Sequence, residues 1–224
     1  MFIADYLETS LLDWEGKIAC LLFLSGCNFR CPWCQNKELA LGIIKNSIPI
    51  QEILAKFENK KNWIDGFVIT GGEPTINRDL GKIISEIKNN GFLVKLDTNG
   101  SNPTVIKELI DNKLVDSVAM DIKSSLTEEK YNNACGINVE LTAIKKTVEI
   151  LLSSSIDCFF RTTVVPGIVD EDDILKIAQM VKGKEYRMQK FVPHNTLDEN
   201  YIHIKPYSEQ DMKKMEEICY AKLF

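Results

Sequence analysis

Three cysteines fall within eight residues of one another in the segment SGCNFRCPWCQN: Cys27, then Cys31 after three residues, then Cys34 after two more. Asn28, Arg30 and Gln35 interrupt any apolar pattern there, so the three thiols do not read as core residues. Thiolates are soft ligands and select zinc or iron–sulfur over magnesium or calcium. Structural zinc normally takes four protein ligands in two pairs. The two histidines, His194 and His203, lie far along the chain without partner spacing. Three thiolates suit a cubane of four irons in which the fourth iron stays open. Electron-transfer clusters are closed by four cysteines, so an open iron implies chemistry. Phe29 and Trp33 would shield such a cluster. A zinc-stabilised scaffold is the competing reading and needs a fourth ligand.

The remaining elements must hold that loop. Ile18 to Leu24 is an apolar run between Gly16 and Gly26, the pattern of a buried strand, and Ser25 to Asn36 is the loop after it. A helix is expected from Ile50 to Asn59 with Ser47 as its cap, then a strand over Gly66 to Thr70 and a helix from Asn77 to Asn89. Further strands are expected at Phe92 to Leu96, Val115 to Met120, Phe159 to Val165 and Tyr186 to Val192. The intervening helices are Pro103 to Asp111, Glu140 to Leu152 and Asp170 to Val181, with a short one from Thr127. Residues 194–206 read as loop, and Ser208 with Asp211 resembles a capping box opening a last helix. Strand–helix alternation implies a parallel α/β sheet with right-handed crossovers, open or curled into part of a barrel. No linker interrupts residues 1–224, so a single domain is expected, with a core over about 12–193 and a loop and helix over 194–224.

Polar and glycine-rich residues gather at the expected carboxyl ends of the strands, the edge that carries the active site in parallel α/β folds. TGGEP spans Thr70 to Pro74; Gly71 and Gly72 permit a tight turn, and Glu73 beside Pro74 can accept hydrogen bonds from an ammonium group. Asp97, Thr98, Asn99 and Gly100 form either an Asx-type turn or a ligand site. Asp121 and Lys123 are two apart and face one side of an extended segment, as a salt bridge or as binding groups. Arg161 is a charge inside an apolar strand and needs an anionic partner.

The 27 Lys and Arg against 32 Asp and Glu are well mixed, and no basic block marks a nucleic-acid surface. The longest early apolar stretch is too short to span a bilayer, so a cytoplasmic protein with no membrane partner is expected. Cys20 and Cys158 read as core, while Cys135 beside Gly136 reads as a loop thiol of open role.

The cysteine loop, TGGEP, LDTNG, VAMDIK, RTTVVPG and MQKFVP together resemble the radical S-adenosylmethionine (SAM) superfamily, in its glycyl-radical-enzyme activase branch, over roughly Leu12 to Pro193. Within that branch the DWEGK start and YRMQKFVP ending resemble the anaerobic ribonucleoside-triphosphate reductase activases. The resemblance implies a partial (β/α)6 barrel, a [4Fe-4S] cluster on Cys27, Cys31 and Cys34, and SAM on the open iron. It further implies that Gly71, Gly72, Glu73 and Pro74 hold the methionyl amino group. Asp97 and Thr98, with Met120, would bind a monovalent cation near the SAM carboxylate. Asp121 and Lys123 would contact the hydroxyls and carboxylate end of SAM, Arg161 the methionyl carboxylate or the substrate loop, and His194 the adenine, although His194 comes one position earlier than the family histidine. The implied partners are a glycyl-radical enzyme, foremost the anaerobic ribonucleotide reductase, and a flavodoxin or ferredoxin donor. Short 7-carboxy-7-deazaguanine synthases are the alternative; they carry an aspartate–threonine pair where this chain has Gln35 and Asn36.

Overall fold

Apolar strands, each followed by an amphipathic segment, fold as successive strand–helix pairs. The computed structural model of the protein describes residues 1–43, 47–58 and 63–223. In chain order the elements are β1 (Phe2–Ile3), β2 (Asp5–Ser10), β3 (Ala19–Leu24), α1 (Lys37–Ala40), β4 (Ile48–Pro49), α2 (Ile50–Phe57), β5 (Gly66–Gly71), α3 (Leu80–Asn89) and β6 (Leu93–Thr98). They continue as α4 (Pro103–Asp111), β7 (Ser117–Asp121), α5 (Glu128–Cys135), α6 (Leu141–Ser153), β8 (Asp157–Val164), α7 (Glu171–Met180), β9 (Glu185–Lys190) and α8 (Glu209–Leu223). The expected end of α2 at Asn59 lies outside the described residues. Ser47 does not cap that helix; Pro49 precedes its first turn.

The main sheet has the order β2-β3-β5-β6-β7-β8-β9. From β3 to β9 every neighbouring pair is parallel. The six expected strands are therefore present. β2 is an addition to the expected set, and it runs antiparallel to β3 with Asp5 opposite Phe23 and Ser10 opposite Ala19. Its sequence DYLETS is largely exposed and makes an edge through backbone pairing, which leaves no apolar alternation to read. β1 and β4 form a separate antiparallel ribbon.

The two faces of the parallel sheet differ in chemistry because side chains alternate along each strand. Cys20, Leu22, Leu24, Phe67, Ile69, Val94, Leu96, Val118 and Phe160 pack outward against the helices in one large core. Inward, Ala19, Leu21 and Val68 pack with Trp14 at the start of the barrel. Further along that inner face lie Lys95, Asp97 and Arg161. Arg161 on β8 reaches Asp97 on β6 across β7, and Arg187 on β9 reaches Glu15 just before β3. Contacts between strands that are not neighbours require the sheet to curl, which makes it a partial barrel.

Candidate active site

The loop after β3 is held by backbone contacts on three sides. Gly26 N donates to Leu39 O at 2.7 Å, Glu73 N donates to Gly26 O at 2.8 Å, and Arg30 N donates to Cys135 O at 2.8 Å. These close approaches explain the glycines around the loop. A Cβ on Gly72 would lie 1.9 Å from Gly26 O, and one on Gly136 would lie 2.1 Å from Arg30 O. Gly136 also has φ +67°, the left-handed conformation that closes α5. Trp33 Nε1 donates to Ala134 O at 3.2 Å, so the loop's aromatic residue is pinned to the end of the same helix.

Cys27, Cys31 and Cys34 line one cavity of about 340 Å³ at the carboxyl ends of the strands. That volume falls in the range of small-molecule sites, roughly 300–1,000 Å³. Gly71, Gly72, Glu73, Asp97, Thr98, Asp121, Lys123 and Arg161 line the same cavity, so the structure brings together most of the residues singled out from sequence. Among the described residues no group of three or more His, Cys, Asp or Glu side chains closes on a single metal ion. A cubane does not require that convergence, because it offers a separate iron to each thiolate. As a donor set the three thiols fit such a cluster.

Their electrostatics differ. Burial pushes the Cys27 thiol up to about 11 and raises Cys34 as well. Cys31 is lowered, first by a hydrogen bond from the Cys135 thiol, against its own burial. Cys135 is thus no surface thiol: it is the last residue of α5, fully buried beside the loop.

Glu73 is 1% exposed. Its Oε1 accepts from Thr75 N at 3.0 Å and from the Thr75 and Thr98 hydroxyls, the latter at 2.7 Å; its Oε2 accepts from Asn99 N at 2.7 Å. Burial raises its pKa, opposed by those hydrogen bonds. Oε2 keeps a lone pair for one more donor.

A chain of charges crosses the inner face. Lys95 Nζ lies 3.1 Å from Asp97 Oδ1, and Arg161 Nη1 lies 3.0 Å from Asp97 Oδ2. Arg161 Nε donates to Asp121 Oδ1, and Lys123 Nζ donates to Asp121 Oδ2 at 3.3 Å while standing over the Trp33 ring. Burial opposes the charge on Asp121, but Arg161 and Lys123 outweigh it and hold the carboxyl well below its usual range. Burial likewise opposes the charge on Lys123, and Asp121 raises it nonetheless.

Three expected residues stand apart. Pro74 is buried at the start of a short 3-10 turn behind the cavity. Met120 faces outward, where a Cβ on Gly100 would meet its Cε at 2.2 Å. Thr98 and Met120 are register partners; the Thr98 hydroxyl donates to Glu73, while Asp97 occupies the alternate, inner-facing position against Lys95 and Arg161. His194 is exposed on the loop after β9, outside the cavity lining; Gln189, Lys190, Phe191 and Val192 before it form that wall. Thr163 and Gln189, which the sequence analysis did not single out, also line the cavity, together with Asn36 at the end of the cysteine loop. Lys95 was not singled out either, although its i,i+2 spacing to Asp97 on a strand was a usable signal.

The radical SAM superfamily model matches residues 21–181, most of the chain. The chain belongs to the radical SAM superfamily. Radical SAM proteins are SAM-binding enzymes of oxidoreductase type, and this chain shares that character. It is 34% identical over 97% of its length, and 91% of the relative's, to a Methanocaldococcus jannaschii protein named "Putative glycyl-radical enzyme activating enzyme MJ1227". That relationship aligns it with an activase-like branch of the radical SAM superfamily. A second similarity, 38% identity over 86 residues and 38% of each chain, is to the 7-carboxy-7-deazaguanine synthase of Aquifex aeolicus. Among solved structures, TYW1 with a lysine–pyruvate adduct superposes with a TM-score of 0.62 at 18% identity, over 90% of this chain and 72% of that one, which supports the radical SAM barrel as the fold. No helix among the described residues is long and apolar enough to cross a membrane.

Proposed function

We propose that this radical SAM protein is an activase that places a radical on a glycine of a partner enzyme. The observation that carries the reading is the single cavity in which three closely spaced thiols face Glu73 and the Asp97–Arg161–Asp121–Lys123 chain. In this reading Cys27, Cys31 and Cys34 hold a [4Fe-4S] cluster. A reduced cluster held there would supply the one electron that divides SAM into methionine and a 5'-deoxyadenosyl radical. Glu73 accepts the methionyl ammonium through the free lone pair of Oε2. Arg161 and Lys123 offer their remaining donors to the carboxylate and hydroxyls of SAM. Phe29 and Trp33 exclude water from the thiolates. That radical would take a hydrogen atom from the glycine Cα, leaving 5'-deoxyadenosine and a glycyl radical.

The near full-length similarity to the M. jannaschii protein favours a protein substrate. Anaerobic ribonucleoside-triphosphate reductase is the first target, with formate-lyase or another glycyl-radical enzyme next, and a flavodoxin or ferredoxin as reductant. The partial similarity to 7-carboxy-7-deazaguanine synthase favours a second reading, in which the hydrogen comes from a small molecule. Anaerobic incubation of reduced protein and SAM with each candidate enzyme, read by electron paramagnetic resonance, separates the two. A glycyl doublet with the ribonucleotide reductase supports the proposal. Turnover of a deazaguanine precursor with no protein radical overturns it.

A further inference from the structure

Lys95 is one of the largest fully buried side chains, 1% exposed, and it points into the barrel beneath the cavity. A buried ammonium is costly unless its charge and its hydrogens find partners. Here they do. Lys95 Nζ donates to the backbone carbonyl of Asp13, lies 3.1 Å from Asp97 Oδ1, and stands 5.0 Å from the centre of the Phe159 ring. Asp13 belongs to the segment between β2 and β3, whose Trp14 plugs the bottom of the barrel. Asp97 Oδ1 is buried and accepts no aligned hydrogen bond, so the Lys95 charge is what compensates it.

We propose that Lys95 is a positioning residue for SAM: it neutralises Asp97 from below and so leaves Arg161 with charge and donors to spare for the ligand's carboxylate. The inference deepens the SAM-binding reading of the cavity and rests on it. In the sequence Lys95–Asp97–Arg161–Asp121–Lys123 three cations alternate with two carboxylates, leaving one unit of positive charge in this chain of side chains. That is the sign that attracts a carboxylate into a low-dielectric site. Without Lys95 the same residues sum to zero, and Arg161 is drawn wholly into its two aspartates. With Lys95 present, Arg161 donates Nε and Nη2 to Asp121 and stands with Nη1 3.0 Å from Asp97 Oδ2, and at least two of its five N–H groups remain for a ligand. The Lys95 charge also occupies the inner side of Asp97, beside the Oδ1 that an alkali cation could reach once Lys95 is neutralised.

The test compares wild-type protein with Lys95→Met, which keeps the stem and removes the charge, and with Lys95→Arg, which keeps the charge. Cluster content is measured first by iron analysis and absorbance, then SAM affinity by calorimetry in sodium, potassium and choline salts. Lys95→Met should bind SAM on the order of 10–100-fold more weakly, as expected when one partner of a buried charge pair is removed. Its 5'-deoxyadenosine formation at saturating SAM should fall by less than its affinity does. Sodium or potassium should recover part of that affinity in Lys95→Met and leave the wild type unmoved, and Lys95→Arg should bind more tightly than Lys95→Met. If Lys95→Met fails to fold, Lys95→Gln takes its place in the same comparison. Wild-type affinity in the charge-free variant, with no salt specificity, overturns the role of Lys95 while leaving the SAM site intact. A cluster-loaded wild type that binds no SAM overturns the reading of the cavity itself.

Discussion

The two faces of one sheet are built on opposite rules. The outward face is apolar from β3 to β8 and carries the packing: Phe67, for instance, sits edge-on to Phe57 and Phe92 with ring centres 5.6 and 5.2 Å away. The inward face begins apolar around Trp14 and then turns into a buried ladder of charges that ends among the cysteines. Dispersion and the hydrophobic effect reward the first arrangement directly. The second stabilises little by itself, since buried ion pairs roughly break even against apolar packing. Retaining it makes sense where a charged ligand must be held. Substitutions on the two faces should therefore fail differently.

The largest stability effect belongs outside. Phe67→Ala should cost about 3–5 kcal/mol, the range for truncating a buried aromatic ring. It should lower the denaturation midpoint while the fraction that remains folded keeps its SAM affinity, as calorimetry on cluster-loaded protein would show. A loss of affinity out of proportion to the loss of folded protein would break the distinction between the faces. Gly72→Ala comes next and strikes the boundary between them. Its Cβ would meet Gly26 O at 1.9 Å, and overpacking of that kind costs about 1–3 kcal/mol. Since Gly26 leads into Cys27, iron retention on gel filtration should fall with stability.

On the inner face the effects differ in sign. Glu73 has its pKa raised by burial, so in the folded protein it contributes stability below its unfolded pKa that is lost as pH rises through the raised value. Glu73→Gln removes that buried charge but turns an amide nitrogen toward at least one of the donors that Glu73 accepts, so at neutral pH it should melt closer to wild type than Asp121→Asn while losing SAM. Wild-type SAM affinity should begin to fall, as pH is lowered, before an ordinary carboxylate would protonate. Asp121 is shifted the other way by Arg161 and Lys123. Its contribution is present above the unfolded pKa and lost as pH falls through the lowered one. Asp121→Asn should thus melt below wild type at neutral pH, with the gap closing in strong acid. Equal shifts of melting temperature for both variants at neutral pH would remove the contrast.

Short-range signals carried most of what was legible in the sequence. The cysteine loop, TGGEP, and the polar ends of β6, β7 and β8 announce themselves within a few residues, and the structure gathers them in one cavity. What the sequence hid depends on contacts distant in the chain. β2 is polar and exposed and pairs only through its backbone, so nothing in DYLETS marks it as a strand. Cys135 follows polar residues and reads as a loop thiol, yet the docking of α5 on Arg30 and Trp33 buries it beside Cys31. His194 lies two residues beyond the wall made by Phe191 and Val192, and a turn decides its exposure. Lys95 looks like a routine polar position until the curl of the sheet brings Phe159 and Asp13 to it.

The central claim, that the thiol-lined cavity cleaves SAM, is tested most directly by measuring 5'-deoxyadenosine. Anaerobically reconstituted protein, reduced and given SAM, should release 5'-deoxyadenosine and methionine, and only when reduced. Cys31→Ala, matched for folding by circular dichroism, should release none. Cleavage at the wild-type rate in Cys31→Ala, or none in reduced, cluster-loaded wild type, would contradict the claim.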